Sequence, residues 1–388
     1  MGLADQRATP EDFLELVERS KRGRLKVYLG FAAGVGKTYR MLEEAHALRR
    51  RGTDVVLAFI ETHGRPETVA LVDGIEALPT RRIEYRNIMI DDLDLDAVLA
   101  RRPAVAIVDE VAHTNAPGSR NTRRYQDVLA LVDAGINVIC AFNVQHLESL
   151  KDVVERATGV VIRETVPDTL LKRADQIVNL DLAVEDLLDR LRAGKIYRPE
   201  RIAWALEHFF KEDNLATLRE LCLREVAESL DRTGSAIDRQ GKAKAASSPS
   251  PGRVMVCMSS NPPRAATLLR RGSRMAGRLN TDWFVVYVET PDEAPTSIDS
   301  ATQRHLIANI EKARELGAEP VWLKARRPVP ALLEFARAHG VGHVLIGRTQ
   351  RSRWRTILGG SVFDELIREA RDVDLHIISF DDREGSAS

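Results

Sequence analysis

Residues 25–38 read Leu25-Lys26-Val27-Tyr28-Leu29-Gly30-Phe31-Ala32-Ala33-Gly34-Val35-Gly36-Lys37-Thr38. A short apolar run ends in glycine-rich backbone, and Lys-Thr then opens an amphipathic stretch, Thr38–Arg50. Strand, phosphate loop and helix in that order are the context in which a GxGK[ST] pattern gains meaning. Glycines let backbone amides turn toward phosphate oxygens, and the helix N-terminus adds a positive end. The pattern predicts ATP at Gly34, Val35, Gly36, Lys37 and Thr38. Lys37 reaches the terminal phosphates, and Thr38 is a ligand of the nucleotide's Mg²⁺. One position departs from the eight-residue form of the loop: Phe31 stands where glycine is usual, with Gly30 just before it.

Downstream, Ala104–Glu110 is a second apolar run closing on Asp109-Glu110. Its spacing after the loop fits a metal-holding Asp109 beside a water-activating Glu110, the catalytic candidate. Ligands of open parallel sheets sit outside the carboxyl ends of the strands. Three polar clusters fall at such ends: Glu61–Arg65, His113–Arg120 and Asn143–His146. They add Asn143 and Gln145 to the nucleotide site and offer side chains to sense a terminal phosphate. Arg120, Arg123 and Arg124 stand as candidates to clamp phosphate or a partner.

The rhythm around these motifs sets the fold class. Leu25–Leu29, Asp54–Ile60, Val105–Val108 and Ile136–Phe142 are short apolar runs separated by amphipathic stretches such as Arg124–Ala134. That is the pattern of a parallel sheet covered by helices. Leu182–Leu223 reads as an appended helical element. Beyond it, Arg232–Arg253 is rich in Ser, Gly, Ala, Lys and Pro and reads as a flexible linker. The second half repeats the rhythm with Val254–Met258, Trp283–Val288, Pro320–Leu323, Val344–Ile346 and His376–Ile378 as strands. Arg264–Leu279, Ala301–Leu316, Pro330–Ala338 and Ser361–Ala370 are its helices, with Pro330 suited to a first helical position. The expected architecture is α/β: a P-loop-type parallel-sheet domain, then a smaller doubly wound domain. The boundaries read as a tail at 1–22, the first domain at 23–230, the linker at 231–252, the second domain at 253–381 and a tail at 382–388.

Composition narrows the function classes. Among 388 residues, Lys+Arg and Asp+Glu number 57 each, so no global field draws the chain to nucleic acid or membrane. The first residues lack an apolar signal core, and no stretch has the length of a spanning helix. A cytoplasmic location is expected. Cys140, Cys222 and Cys257 are far apart and read as reduced core thiols, not a metal site.

The runs GFAAGVGKTYRML (Gly30–Leu42), ETHGRPET (Glu61–Thr68), VDEVAHTNAPGSRNTRRYQDV (Val108–Val128), NVQHLESL (Asn143–Leu150) and RETVPD (Arg163–Asp168) carry a more specific resemblance. In this order they resemble the N-terminal cytoplasmic region of Kdp-type potassium sensor histidine kinases, over about Gly23 to Leu230. The resemblance implies ATP at Gly34–Thr38 and Asp109. Phe31 stands where that family usually carries a small residue. The second half resembles the universal stress protein domain that follows in the same kinases. ATP-binding members carry G-x2-G-x9-G-[ST], which Gly347 and Gly360-Ser361 fit, while Gln350 replaces the middle glycine. Gly347, Arg348, Gly360 and Ser361 are thus the candidate ligand loop. With Arg351, Arg353 and Arg355 it is basic, and it suits an anionic surface, a lipid head group or a cyclic dinucleotide.

Full-length relatives continue into membrane spans, a phosphoacceptor helix and a catalytic domain. This chain ends at Ser388, and none of its nine histidines is followed by Glu. The expectation is an ATP-binding regulator of the potassium-sensing two-component type, truncated before the kinase core. It acts through a protein partner in potassium or osmotic signalling. Two other readings stay open: a P-loop ATPase or phosphotransferase acting on a small molecule, and a scaffold with a vestigial loop.

Overall fold

A computed structural model describes residues 22–85, 88–241, 252–260, 264–279, 281–291, 297–347, 362–370 and 373–378. The chain divides into two compact units, one built on each of two sheets.

The first sheet contains β1 (Leu25–Gly30), β2 (Val55–Phe59), β3 (Glu76–Ala77), β6 (Val105–Val108), β7 (Asn137–Asn143) and β8 (Gln176–Leu180). Its order is β3-β2-β6-β7-β1-β8, with every pairing parallel. Strands β2 and β6 are buried at every residue, as expected where helices cover both faces. Helix Lys37–Arg50 lays Met41, Leu42 and Ala45, all without exposed surface, against Tyr28, Val55, Leu57 and Ile107. Burying a Leu or Met side chain of this kind contributes about 1.5–3 kcal/mol. The helix therefore fixes the loop before it as firmly as the strand does. Register sets Gly30 beside Asn143 and Val108 beside Cys140. The carboxyl ends of β1, β6 and β7 consequently open on the same edge.

The sequence reading did not include β8, whose Gln176–Leu180 run is only partly buried. It also did not include a separate antiparallel hairpin, β4 (Arg81–Tyr85) with β5 (Ile88–Asp92). The helical element after β8 is three helices, Val184–Arg192, Pro199–Glu207 and Glu212–Gly241. The last of these extends into the stretch whose composition suggests a linker.

The second sheet has order β11-β10-β9-β12-β13, all parallel. Its strands are β9 (Arg253–Met258), β10 (Trp283–Glu289), β11 (Glu319–Lys324), β12 (Val341–Gly347) and β13 (Asp374–Ile378). Alternate residues of β9 and β10 point to opposite faces. Val254, Val256, Trp283 and Val285 pack with Leu268, Leu306 and Ile310 on one side. Met255, Phe284 and Val286 pack with Val329, Leu332 and Phe335 on the other. Two cores on one sheet define a doubly wound layer structure. The helix expected from Pro330 starts at Pro328, which takes the first position because its missing N–H lies where no intrahelical partner exists.

Among the described residues no helix is long and apolar enough to cross a membrane. Cys140 and Cys222 are buried and Cys257 is partly buried, all as free thiols. Burial pushes the Cys222 and Cys257 thiols up to about 12.

Candidate phosphate-binding site

The loop after β1 turns through two left-handed glycines, Gly34 (φ 92°) and Gly36 (φ 101°). Side chains rarely adopt that backbone, so the Gly-x-Gly spacing is a geometric requirement here. Gly36 caps helix Lys37–Arg50 with no side-chain bond, which leaves the first-turn amides facing outward. Lys37 curls back over the loop. Its ammonium donates to the Ala32 carbonyl at 3.1 Å and to Oδ1 of Asn143. Desolvation lowers the Lys37 pKa, while the charges of Glu110 and Asp109 oppose that shift. Thr38 Oγ1 donates to Asp109 Oδ2 at 2.7 Å.

Asp109 is 3% exposed. Burial, then the neighbouring Glu110 charge, push its carboxyl above the ordinary range. Glu110 goes the other way, held low first by its ion-pair contact with His63. The chain strains to present this pair: Glu110 and His63 both have φ 52° without being glycine. His63 Nε2 lies 3.7 Å from Glu110 Oε1, and the same contact raises the His63 pKa.

These groups line one cavity of about 470 Å³ with Gly34, Val35, Gly36, Arg65, Asn143, Asp181, Arg190 and Lys195. The loop, Lys37, Thr38, Asp109, Glu110 and Asn143 come together as expected. Gln145 does not: it is absent from the lining, its Nε2 meets His146 at 3.4 Å, and its Oε1 is buried without a partner. The backbone turns into a 3-10 segment at Val144–His146, so only the first residue of the Asn-Val-Gln-His cluster faces the cavity. Phe31 is 1% exposed and does not line the cavity, so its bulk fills core and leaves the loop open.

The arginine candidates after Asp109 divide differently. Arg120 pairs with Asp96 at the surface, and Arg123 donates to the Thr114 hydroxyl at 2.6 Å. Arg124 is 1% exposed and pairs with the fully buried Asp92 at 2.9 Å. It holds the frame behind Asp109 and does not reach phosphate. None of His113–Arg120 lines the cavity. Their loop is pinned by Asn115 and Asn121, whose amides both donate to Asp127. Arg65, from the polar cluster after β2, lines the cavity, while Asp181, Arg190 and Lys195 also line it and carry no motif spacing relative to the loop. In the second unit Gly347 ends β12, while Arg348, Gly360 and Ser361 lie outside the described residues.

The donor set fits the group that the sequence implies. Thr38 and Asp109 offer hard oxygens suited to Mg²⁺, and the loop amides and Lys37 suit phosphate.

Fold and site define an α/β protein with a polar cavity at a glycine-rich loop of a first parallel sheet and a separate doubly wound second sheet. The family described as "KdpD: Osmosensitive K+ channel His kinase sensor domain" matches residues 21–230, and the chain belongs to that family. The universal stress protein family matches residues 251–373. The chain is 41% identical over 377 residues to the sensor protein KdpD of Escherichia coli, covering 97% of this chain and 41% of that protein. It is also 41% identical over 362 residues to the putative sensor protein KdpD of Synechocystis, covering 92% of this chain and 95% of that one. The chain thus spans less than half the length of the first relative and nearly all of the second. A solved universal stress protein from Archaeoglobus fulgidus in complex with dAMP covers 33% of this chain and 97% of its own, at 21% identity and TM-score 0.26.

Proposed function

We propose that the first unit binds Mg·ATP at Gly34–Thr38 and that this occupancy is a regulatory input to Kdp-type potassium sensing. The observation that carries the reading is the convergence of Lys37, Thr38, Asp109 and Asn143 on one cavity. Lys37 neutralises the terminal phosphates. Thr38 and Asp109 hold the cation, which when bound supplies charge neutralisation and lowers the cost of keeping Asp109 ionised. Asn143 orients the Lys37 ammonium, and Glu110, ionised at neutral pH, orients water beside the terminal phosphate.

Titration of the purified chain with Mg·ATP, parent against Lys37→Ala, tests the reading. Binding by the parent and its loss in the variant support it; equal affinity in both removes the loop from the site. Phosphate release from the same sample separates a slow ATPase from a pure sensor, and absence of binding by the parent leaves the vestigial scaffold. The second unit adds an anionic-ligand or protein input, and the output passes through a signalling partner in the cytoplasm. Incubation with γ-labelled ATP is expected to leave no acid-labile label on the nine histidines.

A further inference from the structure

Arg65 stands at the N-cap of the short helix Pro66–Ala70, which follows β2. It shares the lining with Lys37, Thr38, Asp109 and Glu110. One arm of the guanidinium is engaged: Nη2 donates to the Ile196 carbonyl at 3.1 Å. Its Nε is buried and has no partner. Nε is shut off from the cavity space, but the residue lines it, and a fixed fork of donors with one arm held suits recognition of an additional anionic oxygen through the remainder of the guanidinium. Lys37 already serves the loop, so a cation on the lining outside the loop adds most where charge extends beyond the diphosphate.

The arm that is held leads elsewhere. Ile196 is 3% exposed, and a Cβ on Gly34 would come within 2.3 Å of its Cδ1, so it covers the crown of the loop. Leu187 lies against the same point at 3.2 Å. Arg190 Nη1 donates to the Gly34 carbonyl at 3.1 Å. The segment 187–196 is therefore tied to the loop by packing and by Arg190, and to Arg65 through the Ile196 carbonyl. The 112–124 loop meets the cavity only through the backbone carbonyls of Asp109 and Glu110, which accept from His113 N and Arg124, while Asn115, Ala116 and Asn121 are held by Asp92 and Asp127.

We propose that Arg65 is the specificity-determining residue that reads the terminal phosphate of a nucleoside triphosphate, and that its bond to the Ile196 carbonyl passes that reading to segment 187–196. The inference rests on the nucleotide reading above and deepens it: the site responds to triphosphate and not to diphosphate.

The test uses the full chain with Mg·AMP-PNP and Mg·ADP as probes, in the parent, Arg65→Ala and Arg65→Lys. Arg65→Ala is expected to weaken AMP-PNP binding on the order of tenfold or more, as loss of a charge-assisted bond does, with ADP affinity within about twofold of the parent. Arg65→Lys keeps the stem and charge and is expected to fall between, and it serves where the alanine variant does not fold. Hydrogen exchange of peptides covering 187–196 supplies a readout that a merely structural role would not move. AMP-PNP slows it more than ADP in the parent, and the difference vanishes in both variants. Equal loss of both nucleotides, or identical exchange with both in the parent, overturns the proposal while leaving the site intact. A parent that binds neither probe overturns the nucleotide reading itself, and this inference with it.

Discussion

Removing Asp92 tests how the site's rear wall is held. Its carboxylate is fully buried and accepts from Leu93 N and Ala116 N, each at 2.8 Å, and from Arg124 Nη2 at 2.9 Å. Arg124 in turn stacks its guanidinium carbon 3.7 Å over the Phe59 ring and donates Nη1 to the carbonyls of Asp109 and Glu110 at 3.4 and 3.3 Å. Asp92→Ala strands a buried cation and two buried amides at once. Breaking one side of a pair this dry costs about 3–5 kcal/mol. With a urea m-value of about 2 kcal/mol/M, the midpoint falls by roughly 1.5–2.5 M. Urea denaturation should be followed by hydrogen exchange of peptides from β5 and β6, so that the first unit is read by itself. Arg124→Met should cost a comparable amount, and the double variant Asp92→Ala/Arg124→Met less than the sum, since no charge is left stranded. Burial pushes the Asp92 carboxyl up, but the Ala116 amide and Arg124 outweigh it and hold it below its ordinary value. A depressed folded pKa gives stability that is present above the unfolded value near 3.8 and lost as pH falls through the folded one. The parent should therefore show an acid loss that Asp92→Ala lacks. A shift under about 1 kcal/mol in either single variant, or strict additivity in the double, would refute the argument.

Gly34→Ala should lower the melting temperature and nucleotide affinity more than Gly36→Ala, because both strain a left-handed backbone but only the first collides with Ile196; equal effects would refute this. The His63 imidazole, raised first by its contact with Glu110, should titrate above 6.5 by NMR. Its pairing is present below the ordinary value and lost as pH rises through the folded one. In Glu110→Gln the midpoint should drop below 6.5, since desolvation and the Arg65 charge remain, and an unmoved midpoint would remove the pair. If phosphate release is detected in the parent, Glu110→Gln should abolish it while Mg·ATP affinity holds; release at the parental rate would exclude Glu110 as the water-orienting group. Cys140 and Cys222, at 0% and 1% exposure, should resist thiol reagents in the folded chain, with rapid labelling the contrary result.

The phosphate loop was legible because its information is local: Gly34, Gly36, Lys37 and Thr38 are adjacent, and their backbone demands and charge show in five letters. Asp109 and Asn143 were legible one step further out, because each closes a buried strand and parallel strands present their ends together. Gln145 failed at that same step. Strand periodicity cannot say where a strand gives way to a 3-10 turn, and the turn swings it from the cavity. Arg124 failed for a different reason. An arginine in a run of arginines looks solvated, and what buries it is Asp92, separated by 32 residues and at the end of a hairpin the pattern did not show. Arg65 was legible as one of the polar residues after β2, but its partner was not, nor was Arg190. Arg65 meets Ile196 across 131 residues and Arg190 meets Gly34 across 156, through single backbone carbonyls that any residue type supplies. An acceptor without a side-chain signature leaves no mark in sequence. The groups proposed to meet the ligand's common part are therefore the ones a sequence displays. The contacts proposed to make the site respond to a particular ligand join positions far apart in the chain, and only the folded unit brings Arg65, Ile196 and Gly34 into one arrangement.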